Sequence, residues 1–255
     1  MTEKQKRPLY CGHRGAKGLV AENTIASFEK AIEIGADMVE FDVRRTADGV
    51  LAICHGKKIG RRSLAAMTYA EINEVAPQVP TLADVLRTCN GRIKVDIELK
   101  ERDCEEDVIA AVREHIDDCA DALVTSFFDD VVARVKEIDP KIRTGLLVGL
   151  RLPNRLKARL CGPFPFKRCA RVGADVILPH YKLLKYGFIN RAHKYGLPVY
   201  VWTINDPGMF RHLRACGVDA IITDYPDKAL QIDAFTENLQ KTMRVPTLTP
   251  TGEAE

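Results

Sequence analysis

Short strand-like runs alternate with longer helical stretches along most of the chain, and this alternation constrains the fold more than any other feature. Each apolar, β-branched run is followed by a stretch with helical periodicity, which is typical of successive βα units around a parallel sheet. The predicted strands are Leu9 to Gly12, Met38 to Val43, Ile93 to Leu99, Leu123 to Ser126, Thr144 to Val148, Val176 to Leu178, Val199 to Thr203 and Ala220 to Thr223.

Eight such units in 255 residues match the size of a (β/α)8 TIM barrel. The alternative is an open doubly wound sheet, but no Gly-x-Gly-x-x-Gly follows the first strand. Thr24, Thr81 and Asp206 stand where helix N-caps are expected. We therefore predict a single α/β barrel domain over residues 1–235, with its active site at the carboxyl ends of the strands.

Two segments depart from the alternation. A further short strand at Val50 to Cys54 is followed by residues 56–80, which we interpret as a short insertion after the second barrel strand. An insertion there is expected to rise over the barrel mouth and help shape the substrate pocket. Residues 236–255 lose the apolar period and are predicted to form a flexible tail.

The composition limits the class of partner and the compartment. The 38 basic and 35 acidic residues give a net charge of +3, too balanced for a nucleic-acid binder but compatible with a small anionic substrate. None of the eight cysteines forms a Cys-x-x-Cys pair, so reduced thiols are expected.

No apolar stretch has the length of a membrane span, and the first residues are polar, which predicts a cytoplasmic protein.

Carboxylates cluster on the second and third predicted strands. Glu40 and Asp42 are two residues apart and share one face, as Glu98 and Lys100 do on the next strand. Inward-facing carboxylates at Glu40, Asp42 and Glu98 suit one hard divalent cation, Mg²⁺ or Ca²⁺. The alternative is a buried ion-pair cluster with Lys100 and Arg44 as counterions.

Two histidines end strands next to this cluster. His13 follows the first strand and His55 follows the short strand after the Asp-Gly turn. A neutral imidazole can take a proton while a charged one donates a proton, so the pair suits general acid-base catalysis. Arg14 and Lys100 add positive charge that suits a phosphate oxyanion.

Three further positions, Glu22, Asn23 and His180, have two interpretations each. Glu22 and Asn23 either orient His13 or Arg14, or form a helix cap with Thr24. His180, in the run "ILPHY", is either a loop residue near the rim or a substrate contact.

The chain resembles the glycerophosphodiester phosphodiesterase family almost from end to end. The motifs that carry the resemblance are His13-Arg14-Gly15, Glu22-Asn23-Thr24, Glu40-x-Asp42, "TADG", His55, "PTLADVL", Glu98-x-Lys100, Ser126-Phe127, "VWTIN" and "GVDAIITDYP".

The resemblance implies a TIM barrel enzyme that hydrolyses glycerophosphodiesters to sn-glycerol 3-phosphate and an alcohol. It implies this site: one divalent cation on Glu40, Asp42 and Glu98, catalytic roles for His13 and His55, phosphate contacts from Arg14 and Lys100, and a pocket wall at Trp202 near Phe127. For Trp202 the alternative is a place in the barrel core. Gly56 departs from the family, which usually has an aspartate directly after the second histidine, so the support of His55 is in question.

Substrate, nucleophile and oligomeric state stay open. Lysophospholipase D-type cleavage of lysophospholipids uses the same site, and a non-catalytic phosphate-binding barrel is the rival from another class. The nucleophile is either the glycerol 2-hydroxyl, which gives a cyclic phosphate, or water. The basic segment 141–171, with interleaved leucines and the loop "GPFPF", either contacts an anionic membrane or is a solvated basic helix.

Overall fold

Strands and helices alternate along the chain as the sequence pattern predicts. The computed structural model describes residues 7–149 and 164–242, with side chains to residue 236. Its strands are β1 Leu9–His13, β2 Met38–Arg45, β3 Leu51–Ile53, β4 Lys58–Ile59, β5 Arg62–Ser63, β6 Lys94–Leu99, β7 Ala122–Ser126, β8 Arg143–Val148, β9 Val176–Pro179, β10 Tyr200–Val201 and β11 Ala220–Thr223. Its α-helices are α1 Ile25–Ile34, α2 Tyr69–Val75, α3 Leu82–Cys89, α4 Glu105–His115, α5 Asp129–Ile138, α6 Phe164–Val172, α7 Phe188–Lys194, α8 Pro207–Ala215 and α9 Pro226–Thr242.

Parallel strands form a barrel around a central axis. The order is β10-β11-β1-β2-β6-β7-β8-β9, and each neighbouring pair in this order is parallel. Between β9 and β10 the ring closes through two isolated parallel bridges, Ile177 with Val199 and His180 with Trp202. The predicted (β/α)8 barrel is therefore confirmed, with β10 as its shortest strand.

Side-chain alternation along the strands separates two environments. Outward residues such as Phe41 and Ile97 pack in the layer beneath the helices. Inside the barrel, Met38 and Leu123 belong to an apolar layer, and Glu40 and Asp42 on β2 lie beside Asp96 and Glu98 on β6. Apolar side chains thus fill the lower barrel, and the carboxylates lie at its carboxyl end.

The turn after β1 is folded tightly over the start of α1. Thr24 caps α1 by accepting a hydrogen bond from the Ser27 amide, and Ser27 Oγ donates to the Arg14 carbonyl at 3.0 Å. Gly15 has φ +83°, and a Cβ built there would lie 2.4 Å from Ser27 Oγ and 2.7 Å from the Ser27 backbone. Only glycine fits this position, which sets the placement of His13 and Arg14.

The insertion forms a small structure with its own apolar centre. After β3, which pairs antiparallel with β2, residues 56–80 contain the β4-β5 hairpin, a short 3₁₀ turn and α2. Leu64, Met67 and Ile72 are buried against one another. None of residues 56–80, all of them described, lines the cavity at the barrel mouth, so the expected contribution to the pocket is not seen. The apolar side chains of the insertion are used to pack its own centre.

Two further segments fall partly outside the described ranges. Helix α9 continues past residue 236 to Thr242, so the segment expected to be a tail begins within a helix; residues 243–255 lie outside the described residues. Residues 150–163 of the basic segment also lie outside them, and the proposed membrane contact stays a prediction. In the described ranges, no helix is both long and apolar enough to cross a membrane.

Two glycines with nearly equal φ give a matched test of the β1-α1 turn. Gly35, the C-cap of α1, has φ +82°, but a Cβ there meets nothing within 4 Å. We expect Gly35→Ala to cost about 1 kcal/mol from backbone strain alone, and Gly15→Ala roughly 2–4 kcal/mol because a steric clash is added. Urea unfolding measures both values. Equal losses would show that the turn accommodates a Cβ at residue 15.

Candidate active site

A cavity of about 660 Å³ opens at the carboxyl ends of the barrel strands. One side is charged and polar, and the opposite side is mostly apolar. The charged side is formed by His13, Arg14, Glu40, Arg44, His55, Asp96, Glu98 and Lys100. The remaining lining residues are Leu99, Thr125, Phe127, Phe128, Leu147, Gly149, Arg168, Trp202, Thr203 and Ile222.

Three buried carboxylates lie close together at the charged side, and two of them, Glu40 and Glu98, line the cavity. Glu40, Asp42 and Glu98 each offer an oxygen, and these oxygens lie within 4.8 Å of one another. The pairing of β2 with β6 places Asp42 directly beside Glu98. A compact set of carboxylate oxygens suits a hard divalent cation, so the donor set fits Mg²⁺ or Ca²⁺.

Positive charge reaches this cluster mainly at Asp42. Lys100 Nζ lies 2.8 Å from Asp42 Oδ1 and 2.7 Å from Glu98 Oε1, and Arg14 Nε lies 3.2 Å from Asp42 Oδ2. Burial opposes ionisation of Asp42, but the hydrogen bond from His55 and the charges of Lys100 and Arg14 outweigh burial and hold its pKa well below the usual range. Asp42 is therefore ionised.

The negative charge of Glu40 is compensated much less than that of Asp42. It accepts a hydrogen bond from the Arg14 backbone amide at 3.0 Å, but no described Lys or Arg side chain forms an ion pair with it. Burial, followed by the charges of Asp42 and Glu98, raises the pKa of Glu40 well above its usual value. A bound cation would remove this penalty.

Arg44 does not act as a counterion of the cluster. Its Nη1 donates to Glu101 Oε1 at 2.7 Å, and its Nε and Nη2 donate to the His55 carbonyl at 3.1 and 2.9 Å. Of the two counterions named in the ion-pair alternative, Lys100 contacts the cluster and Arg44 does not. The two hydrogen bonds from Arg44 hold the backbone of His55, and Asp42 contacts its imidazole, so His55 has partners although Gly56 supplies no side chain.

His13 and His55 approach the cluster with different partners. His13 Nδ1 donates to Asp224 Oδ1 at 2.6 Å, and its Nε2 lies 3.8 Å from Glu40 Oε2. His55 Nδ1 lies 3.2 Å from both Asp42 oxygens. The His13 side chain is only 16% exposed and the His55 side chain 44%. Burial lowers the pKa of His13, although its hydrogen bond to Asp224 opposes this change.

Glu22 and Asn23 hold members of the site, whereas Thr24 alone caps the helix. Glu22 accepts two hydrogen bonds from Arg14 Nη1, at 2.8 and 2.9 Å. Asn23 Nδ2 donates to Asp42 Oδ2 at 2.9 Å. The interpretation as orienting residues is supported for Arg14, and Asn23 acts on Asp42 rather than on His13.

Aromatic side chains form the wall opposite the carboxylates. Phe127 and Trp202 are in edge-to-face contact with ring centroids 5.6 Å apart, and Trp202 Nε1 donates to the Leu178 carbonyl at 2.7 Å. His180 lies against Trp202 with ring centroids 4.9 Å apart and does not line the cavity. The structure thus places Trp202 at the wall, whereas His180 contacts Trp202 without lining the cavity itself, which disfavours the substrate-contact interpretation of His180.

Asp224 and Arg168 belong to the site, but the sequence motifs did not predict a role for either residue. Asp224 directly follows β11, and its position at the carboxyl end of a barrel strand was the signal available in "GVDAIITDYP". Arg168, on α6, lines the cavity while it contacts Asp129. No local pattern predicts its place, because α6 reaches the cavity only through the packing of the barrel.

A parallel barrel with carboxylates, histidines and cations gathered at its carboxyl end defines a barrel enzyme with a site for an anionic substrate. Comparisons with known proteins agree. Residues 13–228 match the model of the glycerophosphoryl diester phosphodiesterase family. YhdW of Bacillus subtilis strain 168 is 31% identical over 250 residues, which covers 89% of this chain and 98% of that protein.

Two further relatives are similar to this chain over most of its length. The glycerophosphodiester phosphodiesterase of Caldanaerobacter subterraneus subsp. tengcongensis is 27% identical over 89% of this chain and 98% of its own. The crystal structure of an Agrobacterium tumefaciens C58 glycerophosphodiester phosphodiesterase is 28% identical, with a TM-score of 0.74 over 88% of this chain and 99% of that one. The chain belongs to the glycerophosphoryl diester phosphodiesterase family, and the predictions of family and of an enzyme are confirmed.

Cation binding to the carboxylates gives a test that does not depend on turnover. A bound cation stabilises the folded protein by about 2.7 kcal/mol at a hundredfold excess over Kd, which raises Tm by several degrees. The raised pKa of Glu40 means that this carboxyl holds its proton more strongly, and a bound cation must displace that proton. We therefore expect a larger Tm gain from the cation at pH 8 than at pH 6.

Thermal unfolding with Mg²⁺, Ca²⁺ or chelator measures this effect. Glu98→Gln should lose most of the gain, whereas Glu29→Gln, which changes a surface carboxylate paired with Arg92, should keep it. An equal Tm gain in Glu98→Gln would place the cation elsewhere.

Proposed function

We propose that this protein hydrolyses glycerophosphodiesters to sn-glycerol 3-phosphate and an alcohol, with one divalent cation, Mg²⁺ or Ca²⁺. The observation that carries the proposal is a cluster of three buried carboxylates, Glu40, Asp42 and Glu98, in a member of this family. Glu40 and Glu98 line one cavity together with both histidines. When bound to Glu40, Asp42 and Glu98, the cation would supply positive charge for the phosphate oxygens.

Arg14 and Lys100 provide fixed positive charge beside the same position. Both side chains line the cavity, and both are held in place by carboxylates, Arg14 by Glu22 and Asp42 and Lys100 by Asp42 and Glu98. Charged donors that are already oriented stabilise a developing phosphorane charge without the cost of reorganisation. In the proposal they bind the non-bridging phosphate oxygens.

His13 is the proton acceptor in this proposal. Its Nδ1 is engaged by Asp224, so Nε2 is the nitrogen left for the reaction. Burial lowers its pKa and favours the neutral imidazole that can accept a proton. The proton of the attacking hydroxyl moves to His13 Nε2 as its oxygen bonds to phosphorus.

His55 is the proton donor. It follows β3 at the cavity edge, is the more exposed of the two imidazoles, and contacts the ionised Asp42 through Nδ1. As the bond between phosphorus and the leaving oxygen breaks, that oxygen takes the proton of His55, so the alcohol leaves neutral. Water then returns the two histidines to their starting protonation states.

The attacking hydroxyl belongs either to carbon 2 of the glycerol or to water. The first gives a cyclic phosphate that a second round with water opens, and the second gives sn-glycerol 3-phosphate directly. The roles of His13 and His55 are the same in the first step of both routes. Detection of cyclic glycerol phosphate by ³¹P NMR during turnover distinguishes the routes.

The activity is tested with water-soluble glycerophosphodiesters, with release of sn-glycerol 3-phosphate measured in Mg²⁺, Ca²⁺ or chelator. We expect turnover that chelator abolishes. His13→Ala and His55→Ala should each lower kcat by about 10²-fold or more, the usual scale for acid-base groups. His212→Ala, an exposed position on α8, is the matched control and should be unchanged. Cation and phosphate binding without turnover would instead support a non-catalytic barrel.

The apolar wall supports a second candidate, cleavage of lysophospholipids. Phe127, Trp202 and Leu147 line the side of the cavity opposite the carboxylates, and the Phe127 side chain is partly exposed there. An acyl chain gains about 0.8 kcal/mol for each CH₂ that it buries against such a surface. The wall thus offers a binding surface for a single-chain lipid substrate.

Substitution of Phe127 in the apolar wall tests whether lysophospholipids are substrates. If lysophospholipids are the substrates, Phe127→Ala should raise their KM several-fold and leave turnover of glycerophosphocholine nearly unchanged. The matched control is Phe235→Ala, a change of an exposed phenylalanine on α9. Preferential cleavage of glycerophosphocholine by the unaltered protein would reject the lysophospholipid candidate.

A further inference from the structure

His13 is held by Asp224, and Asp224 is held in turn by Asn205. Asp224 directly follows β11, next to β1 in the barrel, and Asn205 follows β10 on the other side of β11. The His13 and Asp224 side chains are only 16% and 17% exposed, so their 2.6 Å hydrogen bond is largely shielded from water.

Asn205 fixes the Asp224 carboxylate from the side opposite His13. Its Nδ2 donates to Asp224 Oδ2 at 2.8 Å, and its Oδ1 accepts from the Asp224 backbone amide at 3.0 Å. Thr223 Oγ1 also donates to Asn205 Oδ1, at 3.3 Å. One carboxylate oxygen is therefore bound to the amide and the other to the imidazole, which leaves the carboxylate little freedom to rotate.

This arrangement sets the tautomer of the imidazole. An ionised carboxylate only accepts hydrogen bonds, so the partner nitrogen, His13 Nδ1, carries the proton. In the neutral ring, Nε2 then holds the lone pair, and Nε2 is the nitrogen that lies 3.8 Å from Glu40 Oε2 at the cavity. The partner of His55, in contrast, is Asp42, which is itself a proposed cation ligand.

We propose that Asp224 and Asn205 are positioning residues that act as a unit: Asn205 orients Asp224, and Asp224 holds His13 in the tautomer whose Nε2 accepts the proton. This inference deepens the proposed function and rests on the catalytic role of His13. Neither residue touches the reacting atoms in this scheme.

The side-chain amide of Asn205 determines how an asparagine at position 224 would be oriented in the Asp224→Asn variant. Because Asn205 presents an NH₂ group, the new amide at 224 turns its oxygen toward residue 205 and its own NH₂ toward His13 Nδ1. The imidazole must then accept at Nδ1 and carry its proton on Nε2, which is the wrong tautomer for a base. We expect kcat to fall by about 10²–10⁴-fold, as tautomer reversal does elsewhere, with KM changed far less.

Exchange of the two residues should restore the tautomer. In the double variant Asn205→Asp/Asp224→Asn, the carboxylate at 205 accepts from the amide NH₂ at 224, which turns the amide oxygen back toward His13 Nδ1. We expect kcat to recover at least about tenfold over Asp224→Asn. ¹⁵N NMR of the imidazole should show Nδ1–H in the unaltered protein and the double variant, and Nε2–H in Asp224→Asn.

A histidine-carboxylate pair far from the cavity, His193 with Asp219, provides the matched control. Asp219 precedes β11 at the other end of the barrel and binds His193 Nε2 at 2.8 Å. Asp219→Asn should leave kcat and the His13 tautomer unchanged. All variants should keep the cation-dependent gain in Tm, because Glu40, Asp42 and Glu98 are intact.

The outcomes separate this inference from the proposed function. Unaltered turnover in His13→Ala would overturn the proposed role of His13 and the inference with it. A large loss in His13→Ala, together with an unchanged tautomer in Asp224→Asn or no recovery in the double variant, would overturn the positioning unit alone.

Discussion

Burial of three carboxylates within 4.8 Å of one another is the constraint on which the carboxyl end of this barrel depends. Two unit charges at that separation repel by about 3 kcal/mol at an effective dielectric constant of 20. The fold compensates unevenly: Lys100, Arg14 and Asn23 all contact Asp42, whereas Glu40 receives one backbone hydrogen bond from this group. The cluster thus contains a stable anion beside a carboxyl that favours its proton, and a divalent cation bound there would compensate both.

The two histidines also differ in their carboxylate partners. His55 contacts a member of the carboxylate cluster, so its surroundings change when a cation binds or the cluster takes up a proton. His13 contacts Asp224, a carboxylate outside the cluster with its own amide partner. A buried imidazole with an independent partner and an exposed one coupled to the cluster can carry different proton-transfer roles, although both are the same residue type.

The division of the cavity follows from which strands bear which inward residues. Strands β1, β2 and β6, together with His55 after β3, supply the charged side, and Phe127, Leu147 and Trp202 lie at or beyond the ends of β7, β8 and β10. Because neighbouring strands in a barrel are fixed in register, the residues at these two sets of strand ends stay on different sides of the cavity. A phosphodiester with one anionic centre and a less polar substituent matches this arrangement.

Local patterns in the sequence determined the eight barrel strands, the helix caps at Thr24, Thr81 and Asp206, and the inward direction of Glu40 and Asp42. Each depends on neighbours a few residues away, where hydrophobic period and backbone hydrogen bonding act directly. Only the tertiary structure decided that Asp224 meets His13, that Arg44 turns to Glu101, and that His180 does not line the cavity. Closure of the barrel brings the first strand against the last, and no local pattern encodes a contact between residues 211 positions apart.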